Sequence, residues 1–381
     1  MNPATAPTSD PSPARNAYID TLRGWSIFGV VSIHFAGSFV TTDTFAWSPS
    51  FYLGLFLNQA FIFAVPLFVF LSGLLAGRSR KQQSLGEYYG GRFRRIVYPY
   101  LLVSLLSFFY LNHYPEWKAA EDKLAWLLGR LFYTGVEPTL YFIPLIILLY
   151  VAQPFLKALP GWLGRAAPAV GADRFATGLT ALLLLVHLAL GWLCYTGRLD
   201  YYRWGRPDPL FWLFYFFAGL HFRSLATTLG SIPYRTLWKI ALAIATAAMA
   251  WNLIQHTDRS VVGEHFERNN LDLAYVRPEI LVYDLAVVLA LACGLQLGWS
   301  PRAGTASFLG QYTLEIYLWH ILVLYYTAWR YQDCIEACRR LPELIVLICL
   351  TAALAIAWTH AGWERFKAYV VSHRVALVPA P

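Results

Sequence analysis

The chain has 381 residues, of which 57% are hydrophobic, 17% aromatic and only 14% charged, whereas soluble domains carry roughly 25% charged residues. With a mean hydropathy of +0.46, that composition excludes an ordinary soluble domain and predicts an all-α, polytopic transmembrane helical bundle. The formal net charge of +8 is what positive-inside loops facing anionic lipid produce, and no basic tract interleaved with aromatics points to nucleic acid.

Apolar runs of about 17–25 residues are long enough to span a bilayer. We read about ten, at 17–40, 53–77, 96–112, 139–157, 176–195, 209–222, 236–255, 279–298, 307–328 and 342–361. A cytoplasmic N-terminus puts Arg78, Arg92, Arg94, Arg95, Lys157, Arg165, Arg174, Arg223, Arg235 and Lys239 on inner loops. The outer loops then hold most acids, among them Glu116, Asp122, Glu137, Asp200 and Asp208. By the positive-inside rule both termini are expected in the cytoplasm.

In chain order, residues 1–15 are rich in Pro, Ser, Thr and Ala and are expected to form a disordered cytoplasmic tail. They lack the basic n-region of a signal peptide, so the first span is expected to be retained. One membrane domain over 16–370 and a short cytoplasmic tail over 371–381 complete the expected organisation. No period of 20–50 residues suggests repeats.

The first span carries Asp20, Arg23 and His34. An ionised side chain costs about 2.5–3.5 kcal/mol at mid-helix on insertion scales, so ionisable groups inside a span are functional candidates. Arg23 and His34 are eleven positions apart. That separation brings them within about 20° of one helix face and about 16 Å apart along the axis. Asp20, three residues before Arg23, has the spacing to pair with it and steer the guanidinium.

Ser72 and Gly73 lie late in the second run, where small residues let helices approach closely. Arg92 and Arg95 stand at the mouth of the third, where isolated charges would be topogenic. His187 is a lone histidine in a leucine run and is expected to be structural. Asp284 in the eighth span and Glu315 and His320 in the ninth complete the buried ionisable groups. Counted from the inner ends, His34 and His320 reach comparable depth. Cys334 and Cys338 fall in an expected outer loop where a disulfide is permitted. The cysteines lack the neighbouring histidines of a zinc site, and no metal is expected.

Five segments, in order, resemble the acyltransferase 3 family of membrane O-acyltransferases. Tyr18-Ile-Asp-Thr-Leu-Arg-Gly-Trp25 running to His34 resembles its opening Arg or Lys, ten residues, then His. Val65-Pro-Leu-Phe-Val-Phe-Leu-Ser-Gly73 is similar to its second-helix segment, and Arg92-Phe-Arg-Arg-Ile-Val-Tyr-Pro99 to the start of its third. Leu140-Tyr-Phe-Ile-Pro144 and Leu309-Gly-Gln-Tyr-Thr-Leu-Glu-Ile-Tyr-Leu-Trp-His320 resemble two later ones. Many lipopolysaccharide-modifying members have a Trp-Ser-Leu-x-x-Glu motif and a C-terminal hydrolase-like domain. The corresponding stretch here has no acid, and the chain looks more like members that decorate exopolysaccharide, periplasmic glucan or cell-wall sugars.

The resemblance implies transfer of an acyl group, expected to be acetyl, from acyl-CoA to a carbohydrate or glycolipid hydroxyl outside the bacterial inner membrane, with no bound cofactor. Such transfer needs a base for the hydroxyl proton, and an imidazole with a pKa of about 6.5 is suited to it. His34 is the expected base, with Arg23 beside its path. Planar guanidinium forks suit phosphate oxygens, so Arg92 and Arg95 are candidates for gripping coenzyme A, with Ser72 and Gly73 leaving room for its pantetheine arm. Asp284 is a candidate orienter of His34. His320 either helps hold the acceptor or makes a structural hydrogen bond. Direct transfer and a transient acyl-histidine both fit. Outer loops 110–138, 195–208 and 256–278 are the expected acceptor site. A transporter or flippase for a glycan or lipid-linked sugar, or a scaffold for polysaccharide export, are the alternatives.

Overall fold

The computed structural model describes residues 17–40, 48–79, 83–110, 113–230, 232–257, 274–299, 304–328 and 331–376. The expected tail 1–15 lies outside them. Among the described residues there is no strand, as expected of a chain that must satisfy its backbone within each spanning segment.

Among the described residues seventeen α-helices follow one another. They are α1 (Ala17–Val40), α2 (Pro49–Ala60), α3 (Ala64–Arg78), α4 (Leu85–Arg92), α5 (Tyr98–Tyr110), α6 (Tyr114–Ala119), α7 (Lys123–Gly129), α8 (Phe142–Ala166) and α9 (Ala172–Tyr195). The second half holds α10 (Pro209–Leu220), α11 (Phe222–Leu229), α12 (Tyr234–Thr257), α13 (Pro278–Gln296), α14 (Thr305–Leu309), α15 (Thr313–Ala328), α16 (Tyr331–Arg340) and α17 (Leu344–Ala376).

Within the described residues every apolar run read from the sequence is mainly helical, but the number of full spans differs from the expected ten. Among the described residues six helical segments are long and apolar enough to cross a membrane: Pro49–Arg78, Pro138–Ala166, Ala172–Tyr195, Tyr234–Gln255, Pro278–Gln296 and Leu344–Tyr369. The helices in the runs at 96–112 and 209–222 are short, with 13 and 12 residues. The first is preceded by a π-turn at Phe93–Val97, and the second stops at His221, which separates α10 from α11. The last helix runs on to Ala376, so the first part of the expected tail 371–381 is helical.

The run at 53–77 bends between α2 and α3. Pro66 supplies no N–H and its ring would crowd the carbonyl four residues back, so it is tolerated only in the first turn of α3. At the bend Ala64 N donates to the Phe61 carbonyl at 2.9 Å, and the Ala60 carbonyl accepts a hydrogen bond from the Tyr283 hydroxyl of α13 at 2.7 Å.

The bundle is organised around α1, which packs against α2, α3, α14, α15 and α17. Its contact with α14 is closer than side chains permit. A Cβ on Gly24 would lie 1.7 Å from the Ala306 carbonyl oxygen, and one on Gly310 would lie 1.8 Å from that of Asp20. A second close contact joins α3 to α10. There a Cβ on Gly73 would meet Phe216 O at 2.0 Å, and one on Gly219 would meet Phe70 O at 2.0 Å. Gly73 therefore faces α10 and serves helix packing, which corrects its expected place beside a ligand.

One end of the bundle gathers basic residues. Lys157 donates to the carbonyls of Ala76 and Ser79, and α3, α8 and the short α4 meet there with Arg78, Arg92, Arg94 and Arg95. The opposite end holds ion pairs of Glu116 with Arg130 and of Glu279 with Arg277. Gly73→Val should lower stability by about 1–3 kcal/mol, the usual cost of overpacking, whereas its neighbour Ser72→Ala should leave the thermal midpoint nearly unchanged. Melting curves of both variants in the same detergent check this; equal midpoints would mean that α3 and α10 can part without cost.

Candidate active site

A cavity of about 840 Å³ opens at the basic end and is lined by Arg23, Ser72, Arg92, Arg95 and Lys157, with Tyr317 and Phe142 at its inner limit. Four of the sequence-selected residues thus share one wall. Ser72 lines it, while Gly73 is held against the backbone of α10.

The cavity's cations differ in how they are held. Arg23 donates to the Thr313 hydroxyl at 2.5 Å and lies 3.9 Å from the Asp20 carboxylate, the steering that the i, i+3 spacing predicts. Arg92 is stacked 3.9 Å from the Tyr150 ring centroid and 5.3 Å from that of Tyr88. Cation–π stacking of that kind fixes the plane of a guanidinium. At the mouth, Ser84 and Glu87 form a capping box for α4. Hydrogen bonds from Ser84 hold the Glu87 carboxyl below its ordinary value, so it keeps its charge among the arginines.

His34 and His320 lie side by side, ring centroids 5.2 Å apart and planes inclined by 31°, which fulfils the comparable depth read from the sequence. His320 is fully buried; its Nδ1 is 2.6 Å from the Tyr317 carbonyl oxygen, and its Nε2 has no hydrogen-bond partner. With Nδ1 donating to that carbonyl, Nε2 is left as an acceptor. His34 is only partly buried. Neither histidine lines the cavity. Tyr317 stands between, its ring 5.6 Å from His320 and 5.5 Å from Phe142, with its hydroxyl donating to Thr139 O at 2.5 Å.

Two expected supporting residues do not join this pair. Asp284 is buried, but its electrostatic neighbours are Tyr141, Tyr215 and Tyr283, its Oδ1 has no partner, and it makes no hydrogen bond to His34. Its helix α13 packs against α12, α3 and α9, not against α1 in any extensive contact. Glu315 is half-buried, outside the cavity wall, and makes no hydrogen bond to His320, since five residues of helix turn its side chain about 140° away. His187 is structural as expected, with Nδ1 2.7 Å from Phe211 O. Cys338 is buried, while the side chain of Cys334 lies outside the described residues, as does the greater part, 258–273, of the third expected acceptor loop.

Four site residues escaped the sequence reading. Thr313 and Tyr317 were hidden inside an apolar span whose histidine and glutamate drew attention, although both sit one or two turns before His320 on its own face. Lys157 had the appearance of a topogenic charge. Arg206 lies outside every apolar run, yet its guanidinium is 4.4 Å from the Tyr141 ring centroid and within electrostatic range of His34.

Buried ionisable groups, a basic-mouthed cavity and a paired imidazole thus stand together inside a helical membrane bundle. The sequence model of the acyltransferase 3 family, described as an acyltransferase domain, matches residues 16–362. The chain belongs to that family and is a membrane acyltransferase. No curated protein and no solved structure matches it.

Thr313→Val keeps the shape of α15 and removes the acceptor of the Arg23 bond. A hydrogen bond to a charged group is worth about 1.5–3 kcal/mol, so acyl-transfer rate should fall about tenfold or more while the protein stays folded. Steady-state transfer at wild-type level would mean that Arg23 does not need Thr313 for its place.

Proposed function

We propose that this enzyme transfers an acyl group, taken here as acetyl, from its coenzyme A thioester to a carbohydrate hydroxyl on the opposite face of the bacterial inner membrane. The observation that carries the reading is the cavity in which Arg23, Arg92 and Arg95 converge at the basic end and which ends one tyrosine short of the His34–His320 pair. Guanidinium groups suit the phosphates of coenzyme A, and the apolar walls from Leu71, Ile143 and Ile146 suit a pantetheine arm. The basic end is then the cytoplasmic one, in keeping with the positive-inside rule, and both termini face the cytoplasm.

In this reading the acceptor hydroxyl attacks the thioester carbonyl carbon while His34 takes its proton. The carbonyl electron pair moves to oxygen, then returns as the C–S bond breaks, and the coenzyme A thiolate leaves to recover the proton. Tyr317 is the partition that the acyl end must pass to reach His34. Single displacement needs no acyl-enzyme, so no acylimidazole on His34 is required.

The test is incubation of purified protein with labelled acetyl-coenzyme A and candidate glycans, followed by mass spectrometry for acetyl esters. A general base contributes about 10²–10⁴-fold, so His34→Gln should remain folded and lose transfer by at least that range. A stable Gln variant with near-wild-type transfer would overturn the catalytic assignment and favour a glycan transporter. Arg92→Ala and Arg95→Ala should each weaken coenzyme A binding by about 1.5–3 kcal/mol, and Lys at either position should recover only part, because a point charge lacks the planar fork. Unchanged donor affinity in the double Ala variant, measured by titration calorimetry, would reduce both to topogenic charges.

A further inference from the structure

Arg206 is the charged group of the bundle that the donor cavity leaves unexplained. It follows a π-helical turn at Tyr201–Gly205 and precedes α10, on the side of the His34–His320 pair away from the cavity mouth. Its guanidinium is fixed twice: one terminal nitrogen donates to Pro138 O at 3.0 Å, and its plane lies against the Tyr141 ring at 4.4 Å. Its Nε is buried and has no hydrogen-bond partner.

No ion pair among the described residues neutralises it. Asp208, two residues on, spends its carboxylate on capping α10 through Leu210 N at 2.7 Å. The groups that surround the guanidinium electrostatically are the phenols of Tyr141, Tyr201, Tyr275 and Tyr317, which solvate a cation without cancelling it. Holding a guanidinium partly out of water with no counter-charge is expensive unless another function requires it.

The same short segment ties Arg206 to the histidines. Pro138–Leu140 forms one turn of 3-10 helix. Arg206 grips its Pro138 carbonyl, Tyr317 grips its Thr139 carbonyl, and Tyr317 leads to His320 and so to His34. The charge is therefore held in a fixed relation to the imidazole pair and within electrostatic range of His34.

We infer that Arg206 is a second catalytic cation, placed across the histidine pair from Arg23, that stabilises the negative charge developing on the thioester oxygen when the acceptor hydroxyl attacks. The inference rests on the acyl-transfer reading above. Its chemistry is that of a preorganised donor aimed at charge that exists only in the transition state: no ion pair among the described residues neutralises it and its Nε is left without a hydrogen bond in the resting protein, so a counter-charge made during the reaction is the one it can meet. The cost of keeping the site polar and dry is met by the ring of phenols.

The test is steady-state transfer from acetyl-coenzyme A to an accepted glycan by wild type, Arg206→Gln and Arg206→Lys, with a thermal midpoint for each preparation. Gln can still donate to Pro138 O but carries no charge. It should lower kcat about 10²–10³-fold, the scale for losing one oxyanion donor, with KM for coenzyme A thioester and the thermal midpoint nearly unchanged. Lys restores the charge without the fork and should recover part of kcat. If the Gln variant does not fold, the Lys variant decides: a lowered kcat at wild-type thermal midpoint supports the assignment, and a wild-type kcat overturns it. A raised acceptor KM with unchanged kcat would make Arg206 an acceptor-binding group and also overturn it. Wild-type protein that forms no acetyl ester would sink the coenzyme A–glycan reading itself, whereas active wild type with an equally fast Gln variant would defeat only the role of Arg206.

Discussion

The near-contact of α1 with α14 is the constraint on which the rest of the site depends. With no side chain at Gly24 or Gly310, two backbones meet at a distance that any Cβ would forbid, and α15 follows α14 after only three residues. The approach fixes where α15 starts against α1. Thr313 consequently reaches Arg23 and His320 reaches His34. The two pairs differ in spacing: eleven residues on α1 rise about 16 Å, seven on α15 about 10 Å. The extended arginine side chain takes up the difference by leaning inward to the threonine hydroxyl. A shift of α15 by one residue would rotate its whole polar face by about 100° and separate both pairs at once.

Much of this was legible in the sequence because spans penalise ionisable residues so heavily that those present stand out. Arg23 and His34 could be put on one face by counting. The shared depth of His34 and His320 followed from distances to the inner ends, and the i, i+3 relation of Asp20 to Arg23 from helix geometry. The lateral neighbours were not legible, because helix periodicity says which face a residue occupies and nothing of which helix lies opposite. Asp284 and Glu315 failed for that reason. Both were buried groups at plausible depths, but one faces tyrosines from other helices and the other lies on the wrong side of α15. Gly73 failed because its side of α3 is taken up by the backbone of α10, a lateral neighbour that helix periodicity does not name.

Small departures in the helices were also hidden. The bend between α2 and α3 passes through Phe61, Ile62 and Phe63, residues as apolar as the helix they interrupt, so hydropathy alone runs straight through it. Pro66 gave the local signal. What makes the bend tolerable is the Tyr283 hydroxyl, 223 positions away in sequence, and no local pattern announces such a partner. The span count suffers similarly: α5 and α10 are apolar throughout yet too short to cross as straight helices. A π-turn and a histidine, neither strongly marked in composition, set one end of each.

In the proposed reading the electrostatic layout separates recognition from chemistry. Three arginines and Lys157 line the open cavity at the basic end, where charge would serve attraction and grip of an anionic donor and be open to screening by salt. Deeper in, the cavity wall is aliphatic and closes on Phe142 and Tyr317. Beyond that partition lie two histidines and a single guanidinium among phenols. A carboxylate beside Arg206 would have stabilised the resting protein and cancelled the field at the histidines. Phenols instead give the cation hydroxyl and ring-face contacts that carry no net charge, so its potential persists in a region where little solvent screens it. Keeping acids away from this side, with Asp208 turned to its own helix and Asp284 among tyrosines, therefore shapes the site as much as the basic residues that line it.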